Sequence, residues 1–264
     1  MNPYPSNSDS SSPSLEARQA SQPPAPPPSA VRLSVPRSAP YVTYSIIGIT
    51  VFIYILQLLS EFTLGNDILV LYGARINEAI HAGELWRFLT PALLHGSLPH
   101  IAFNMYALLS FGTSLERYFG HGRFFLLYVL SAFTGNVASF LFSPGYSVGA
   151  STAIFGLLGA EAVFLIQNRK AFPGQFRSAI GNIIFIAAIN LFIIGSLPGI
   201  DNWGHIGGLV GGLMFTSFSG PLWEVEGIHP DYHLVDRRSP RNVIVGAAMV
   251  ILIFGGLAMW GMVR

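Results

Sequence analysis

The chain contains no cysteine, so neither disulfides nor thiolate-held metals enter its chemistry. Charge is scarce too. Asp, Glu, Lys and Arg make up 10% of the 264 residues, against about 25% in an average soluble domain. Set beside 51% hydrophobic residues, that scarcity indicates an all-α, polytopic membrane protein. The net charge is only +1 and no basic cluster that would track phosphates is present, so nucleic acid is not an expected partner. A zinc-binding His-Glu-x-x-His helix is missing, and no Asp lies in the interior of an apolar segment. A metal centre and an aspartyl pair are both disfavoured, and no cofactor is expected. No apolar stretch follows Met1 closely, so no secretory signal peptide is expected.

What is present falls into four regions. Residues 1–40 are rich in Ser and Pro and bury too little apolar surface to offset chain entropy; they read as a disordered cytoplasmic tail. Residues 41–220 hold six apolar segments at about 43–60, 98–115, 123–142, 150–167, 178–196 and 202–219, each near the length that crosses a bilayer. A polar cytoplasmic linker follows over 221–241, then a seventh membrane helix within 242–264 that looks appended to the working core. The gap at 61–97 is long and partly apolar; it is expected to carry a fold or task of its own in the membrane interface, with Trp86 and Arg87 as interfacial anchors.

Lys and Arg set the orientation. With the N-terminus inside, Arg18, Arg32, Arg37, Arg117, Arg123, Arg169, Lys170, Arg177, Arg237, Arg238 and Arg241 fall inside, and Arg75, Arg87 and Arg264 outside. That bias places the N-terminus in the cytoplasm and the C-terminus outside, and suits a bacterial inner (plasma) membrane.

In this topology the second, fourth and sixth spans all begin at the outer face, and each begins with polar residues. The second opens on His95-Gly-Ser-Leu-Pro-His100 and reaches Asn104, the fourth on Gly149-Ala150-Ser151, and the sixth on Asn202-Trp203-Gly204-His205. His100 and Asn104 are four apart and share a helix face. Gly204, Gly208 and Gly212 form a strip bare of side chains, answered by Gly156, Gly159 and Ala160 on the fourth span. Close approach of those two helices would bring Ser151 within hydrogen-bonding reach of His205. A neutral His can then take the Ser proton, while His100, Asn104 and the Ser151 N–H offer donors to a developing oxyanion.

Plainer roles are open for each residue. Small residues and Ser serve ordinary membrane-helix packing, and an intramembrane His or Asn often bridges helices. His95 reads as an interfacial or supporting residue. Asp201 could orient His205 but suits a helix cap better. Glu161 reads as a packing or pairing residue. A pathway for solutes and a non-catalytic binder of membrane helices are the rival functions.

Taken together, these residues resemble the rhomboid intramembrane serine proteases over about 43–219. Gly149-Ala150-Ser151 is similar to that family's Gly-x-Ser motif, and His205 with Gly208 to its His-x-x-Gly. His100 with Asn104, Trp86-Arg87 and Glu116-Arg117 are similar to three further motifs. The resemblance implies a six-helix bundle, here with one extra C-terminal helix, and an intramembrane endopeptidase using Ser151 and His205 as a dyad without a required acid. It further implies no metal or other cofactor. Its substrates would be single-pass transmembrane proteins in the lipid bilayer, cut near the outer face and admitted past a mobile fifth span and a loop over Pro144–Ser147. Phe155 would support the histidine where the family often has Tyr. Thr152 and Gly204 depart from the commoner Gly and Ala.

Overall fold

The computed structural model describes residues 32–34, 38–171, 176–228 and 231–264. The expected disordered tail lies outside the described residues except for 32–34 and 38–40. Among the described residues, seven long helical segments stand close to the apolar stretches read from the sequence. They are α1 (Tyr41–Leu64), α4 (Leu98–Phe119), α5 (His121–Phe142), α6 (Ser151–Gln167), α7 (Phe176–Ala188), α8 (Asn202–Ser219) and α9 (Pro240–Met262). The short helices α2 (Ile68–Gly73) and α3 (Asn77–His81) lie between α1 and α4. From α7 the chain passes through a π-helical turn, Ile189–Ile193, and a 3-10 turn to Ser196.

Four of these segments, α1, α5, Arg177–Ser196 and α9, are long and apolar enough to cross a membrane, and the chain is an integral membrane protein on that ground. Helices α4 and α8 are diluted by the polar residues and glycines singled out above, and α6 has only 17 residues. The helices least able to cross alone are the ones that carry the candidate site. Two of them, α6 and α8, pack innermost against α5, with Leu127, Val137, Ala153, Leu157 and Phe215 fully buried.

The expectation of an all-α chain needs correction. Strands β1 (Arg32–Ser34), β2 (Trp223–Ile228) and β3 (Asp231–Asp236) form a sheet in the order β1-β3-β2, with β2 antiparallel and β1 parallel to β3. The stretch read as a linker is therefore a hairpin, and three residues of the tail are a strand. Alternation in Trp223-Glu-Val-Glu is the local signal for β2. The hairpin is fastened to the helix ends. Asn168 accepts from the Trp223 N–H and donates to the Pro221 carbonyl. Arg238 donates to Gly220 O and Gln167 Oε1, and Asp236 pairs with Arg123 at the start of α5. Nor does α9 stand apart. Gly246 faces Ser219 of α8, and Gly261 faces Phe140 and Leu141 of α5, where side chains would not fit.

Two carboxylate and guanidinium contacts organise the rest. Pro40 leaves the N-terminus of α1 without a side-chain cap. Glu116, fully buried at the end of α4, replaces it by accepting from the N–H groups of Val42 and Thr43 and from Thr43 Oγ1. In the 61–97 segment Arg87 is not an interfacial anchor. It is 3% exposed and donates to the carbonyls of Ala74 and Leu71 while pairing with Glu84. The segment folds back on itself and needs internal donors for carbonyls that water does not reach. Trp86 is half exposed and bonds the Tyr72 carbonyl. Arg87→Met is expected to leave both carbonyls unpaired and to lower stability by about 2–4 kcal/mol, read as an earlier thermal melt of the purified protein.

Candidate active site

Gly149, Ala150 and Ser151 bring the chain out of a loop and into α6. Gly149 has φ +132°, a conformation that side chains rarely adopt, and a Cβ there would stand 2.7 Å from His100 Nε2 and 3.7 Å from Asn104 Nδ2. Only a glycine lets the backbone pass under those two donors. The loop is pinned on both sides. The Gly149 N–H bonds the Pro91 carbonyl at 2.9 Å, and Ser147 and Arg75 exchange two backbone hydrogen bonds. Arg75 is itself buried and donates to Asn77 and to the Ser143 carbonyl, so the 61–97 segment holds the loop over Pro144–Ser147 in place. Burial lowers the Arg75 pKa from its ordinary value, with Asp201 and Glu78 opposing.

Ser151 is the first residue of α6. Its Oγ lies 2.9 Å from His205 Nε2. The histidine ring stacks flat on Phe155, one turn below Ser151, with centroids 4.3 Å apart and 6° between planes. His205 Nδ1 is buried with no hydrogen-bond partner, so packing rather than an acceptor fixes the ring. Asp201 does not reach that nitrogen. It caps α8 through the Gly204 N–H and receives the Ser139 hydroxyl.

Asn104 is buried, and its Nδ2 has no partner among the described residues. With His100 Nε2 it makes two nitrogens that converge on Gly149. No side chain caps α6, so its first N–H groups, Ser151's included, lack acceptors within the helix and its positive end faces the same point. His95 is buried rather than interfacial. Gln57 holds its backbone from both sides, and its ring stands 5.0 Å from that of His100. Burial, then His100, push its pKa down to about 3, so the neutral ring accepts the Ala150 N–H at 3.4 Å. The arrangement joins a hydroxyl, an imidazole positioned to take its proton and a set of donors to one side.

Sequence comparison places the chain in a family. The family model described as the Rhomboid domain matches residues 82–221, just over half of the chain. The chain belongs to the rhomboid family. Among its relatives are rhomboid protease GluP of Bacillus subtilis (strain 168), 44% identical over 69% of this chain and 35% of the relative, and RHOMBOID-like protein 1 of Arabidopsis thaliana, 39% identical over 66% and 43%. RHOMBOID-like protein 5 of Arabidopsis thaliana is 34% identical over 70% of this chain and 63% of its own length. The rhomboid chain thus spans between about a third and under two thirds of these relatives.

The two departures from the commoner rhomboid pattern touch each other. A Cβ on Gly204 would lie 3.0 Å from Thr152 Cγ2, and one on Gly135 would lie 2.6 Å from Thr152 Cβ. Thr152 occupies the space that Gly204 leaves, so the two changes complement each other. Glu161 faces a cavity of about 110 Å³ beside Ser114, Leu115 and Ala179, and its Oε2 has no partner among the described residues. No three His, Cys, Asp or Glu side chains gather to hold a metal among the described residues.

Proposed function

We propose that the protein is an intramembrane serine endopeptidase that cleaves transmembrane segments of membrane proteins near the outer face. The observation that carries the reading is the 2.9 Å contact between Ser151 Oγ and His205 Nε2 beside the His100 and Asn104 nitrogens. Membership of the rhomboid family supports it.

Ser151 Oγ attacks the scissile carbonyl carbon while its proton passes to His205 Nε2. The carbonyl oxygen becomes an oxyanion, held by the Ser151 N–H, His100 and Asn104. The C–N bond breaks as His205 gives its proton to the leaving amine, leaving an acyl-Ser151 ester. Water, deprotonated by the same imidazole, attacks the ester, and Ser151 regains its proton as the new carboxylate departs. Asn104 enters this scheme as a donor with an unused N–H. Asn104→Ala is expected to lower kcat by about 10²–10³-fold with little change in substrate binding, measured by cleavage rates against reporter concentration.

Six spans plus the C-terminal α9 would carry this centre, with the N-terminus in the cytoplasm of a bacterial cell. The structure favours that orientation. Arg75 and Arg87 are consumed by internal hydrogen bonds, so two of the three outer basic residues should not count as loop charge. Arg177–Ser196 buries little of its surface, 6% of its most apolar window against 67% in α5, which suits a helix that yields to a substrate segment.

The test is cleavage of a transmembrane reporter by purified protein, with and without a metal chelator, beside Ser151→Ala. Cleavage that needs Ser151 and ignores the chelator supports the reading. Cleavage surviving Ser151→Ala overturns it, and binding of the reporter without cleavage would favour a helix-binding protein.

A further inference from the structure

The face of the bundle opposite the catalytic centre carries a cavity of about 820 Å³ between the end of α4, the start of α5 and the start of α9. Its level in the bilayer follows from the helices around it. Both α5 and α9 are long and apolar enough to span, and both begin here, at His121 and Pro240. Their first turns therefore mark one boundary of the hydrocarbon layer, and the cavity opens at headgroup depth.

Its chemistry changes across that boundary. On the aqueous side stand Arg117, His121 and Arg123. Arg123 is engaged by Asp236 and His121 by Glu116. Arg117 is exposed, and its guanidinium has no partner among the described residues. The first turn of α5, which no side chain caps, faces the same space. On the membrane side the lining becomes apolar through Phe125, Leu126, Val243 and Ile244, of which Phe125 and Ile244 are half exposed or more. A soluble anion would use the first set and gain nothing from the second. An apolar ligand would do the reverse. An anionic phospholipid uses both, its phosphate against Arg117 and its acyl chains along the groove between α5 and α9.

We propose that this cavity is a binding site for an anionic phospholipid, with Arg117 as its principal headgroup contact. The occupant would tie α5 and the hairpin to α9 at the face where Arg123, Asp236 and Arg238 already join them. The site stands whether or not Ser151 is a nucleophile.

The experiment is native mass spectrometry of the full chain released from detergent, titrated with phosphatidylglycerol or phosphatidylcholine of identical acyl chains, and separately with inorganic phosphate. Arg117→Gln removes the free cation without breaking any side-chain contact among the described residues, Arg117→Lys keeps its charge, and Arg169→Gln removes an exposed charge that does not line the cavity. Phosphatidylglycerol is expected to bind in preference to phosphatidylcholine. Arg117→Gln should weaken it by about fivefold, the effect of one basic side chain at a membrane surface, while Arg117→Lys and Arg169→Gln stay close to wild type. Equal retention of both lipids would overturn the proposal. So would wild-type affinity in Arg117→Gln, or equal weakening in Arg169→Gln, which would mean diffuse surface charge. Inorganic phosphate that displaces phosphatidylglycerol at millimolar concentration would also overturn it, since the apolar half of the site would then contribute nothing.

Discussion

Ser151→Ala and His205→Ala are each expected to slow peptide-bond cleavage by on the order of 10⁴-fold or more, and the double variant by no more than the worse of the two. In the proposed mechanism the hydroxyl and the imidazole act as one unit: without the base the Ser151 proton has nowhere to go, and without the nucleophile the base has nothing to activate. What survives either loss is the contribution of substrate binding and of the donors around Gly149. Single-turnover rates on a labelled transmembrane reporter would measure this. Multiplied losses in the double variant would mean that the two residues act separately, which sinks the dyad. The variants should differ in stability. Ser151→Ala deletes one oxygen from a half-buried residue and should melt as wild type does. His205→Ala empties the space stacked on Phe155 and should melt earlier, so Ser151→Ala is the cleaner probe.

The helices and the site residues were unequally legible. Long apolar runs bounded by Gly or Pro place α1, α5 and α9 to within a few residues, because membrane spans announce themselves locally. The polar openings of α4, α6 and α8 are legible for a complementary reason: His100, Ser151 and His205 are costly in such surroundings without a partner. Charge counting then puts those openings on one face, and the contact between Ser151 and His205 follows from two small-residue strips meeting.

The rest depends on contacts distant in sequence. Trp223–Asp236 is short, polar and broken by His229-Pro230, so it reads as a linker; it becomes a hairpin because Asn168, Arg123 and Arg238 hold it. Arg75 and Arg87 look like surface charges because nothing near them in sequence reveals that the loop closes over them. Helix α9 looks appended because it lacks polar residues, although Gly246 and Gly261 were a signal of close packing. Thr152 and Gly204 look like two unrelated departures until the structure places them in contact.

Gly208→Val is expected to prevent accumulation of the folded protein, and Gly208→Ala to separate stability from activity. A Cβ at Gly208 would collide with the carbonyl oxygen of Thr152, and one at Gly212 with that of Gly156. Those atoms are backbone and cannot swing aside, so α6 and α8 must move apart. Overpacking of this kind costs about 1–3 kcal/mol, and more for a branched side chain. By intrinsic propensity alone, Gly→Ala inside a helix should stabilise by about 1 kcal/mol. Gly255→Ala in α9, where a Cβ meets nothing within 4 Å, isolates that gain and should leave cleavage unchanged. His205 lies one turn before Gly208 and Ser151 directly precedes Thr152. The separation forced by Gly208→Ala therefore falls on the contact between Ser151 and His205 itself, and a misplacement near 1 Å lowers rates by about 10²-fold. The expected outcome is a slightly destabilised Gly208→Ala protein with about a hundredth of wild-type cleavage. Wild-type stability and rate in Gly208→Ala would mean that the two helices do not hold this close approach during cleavage.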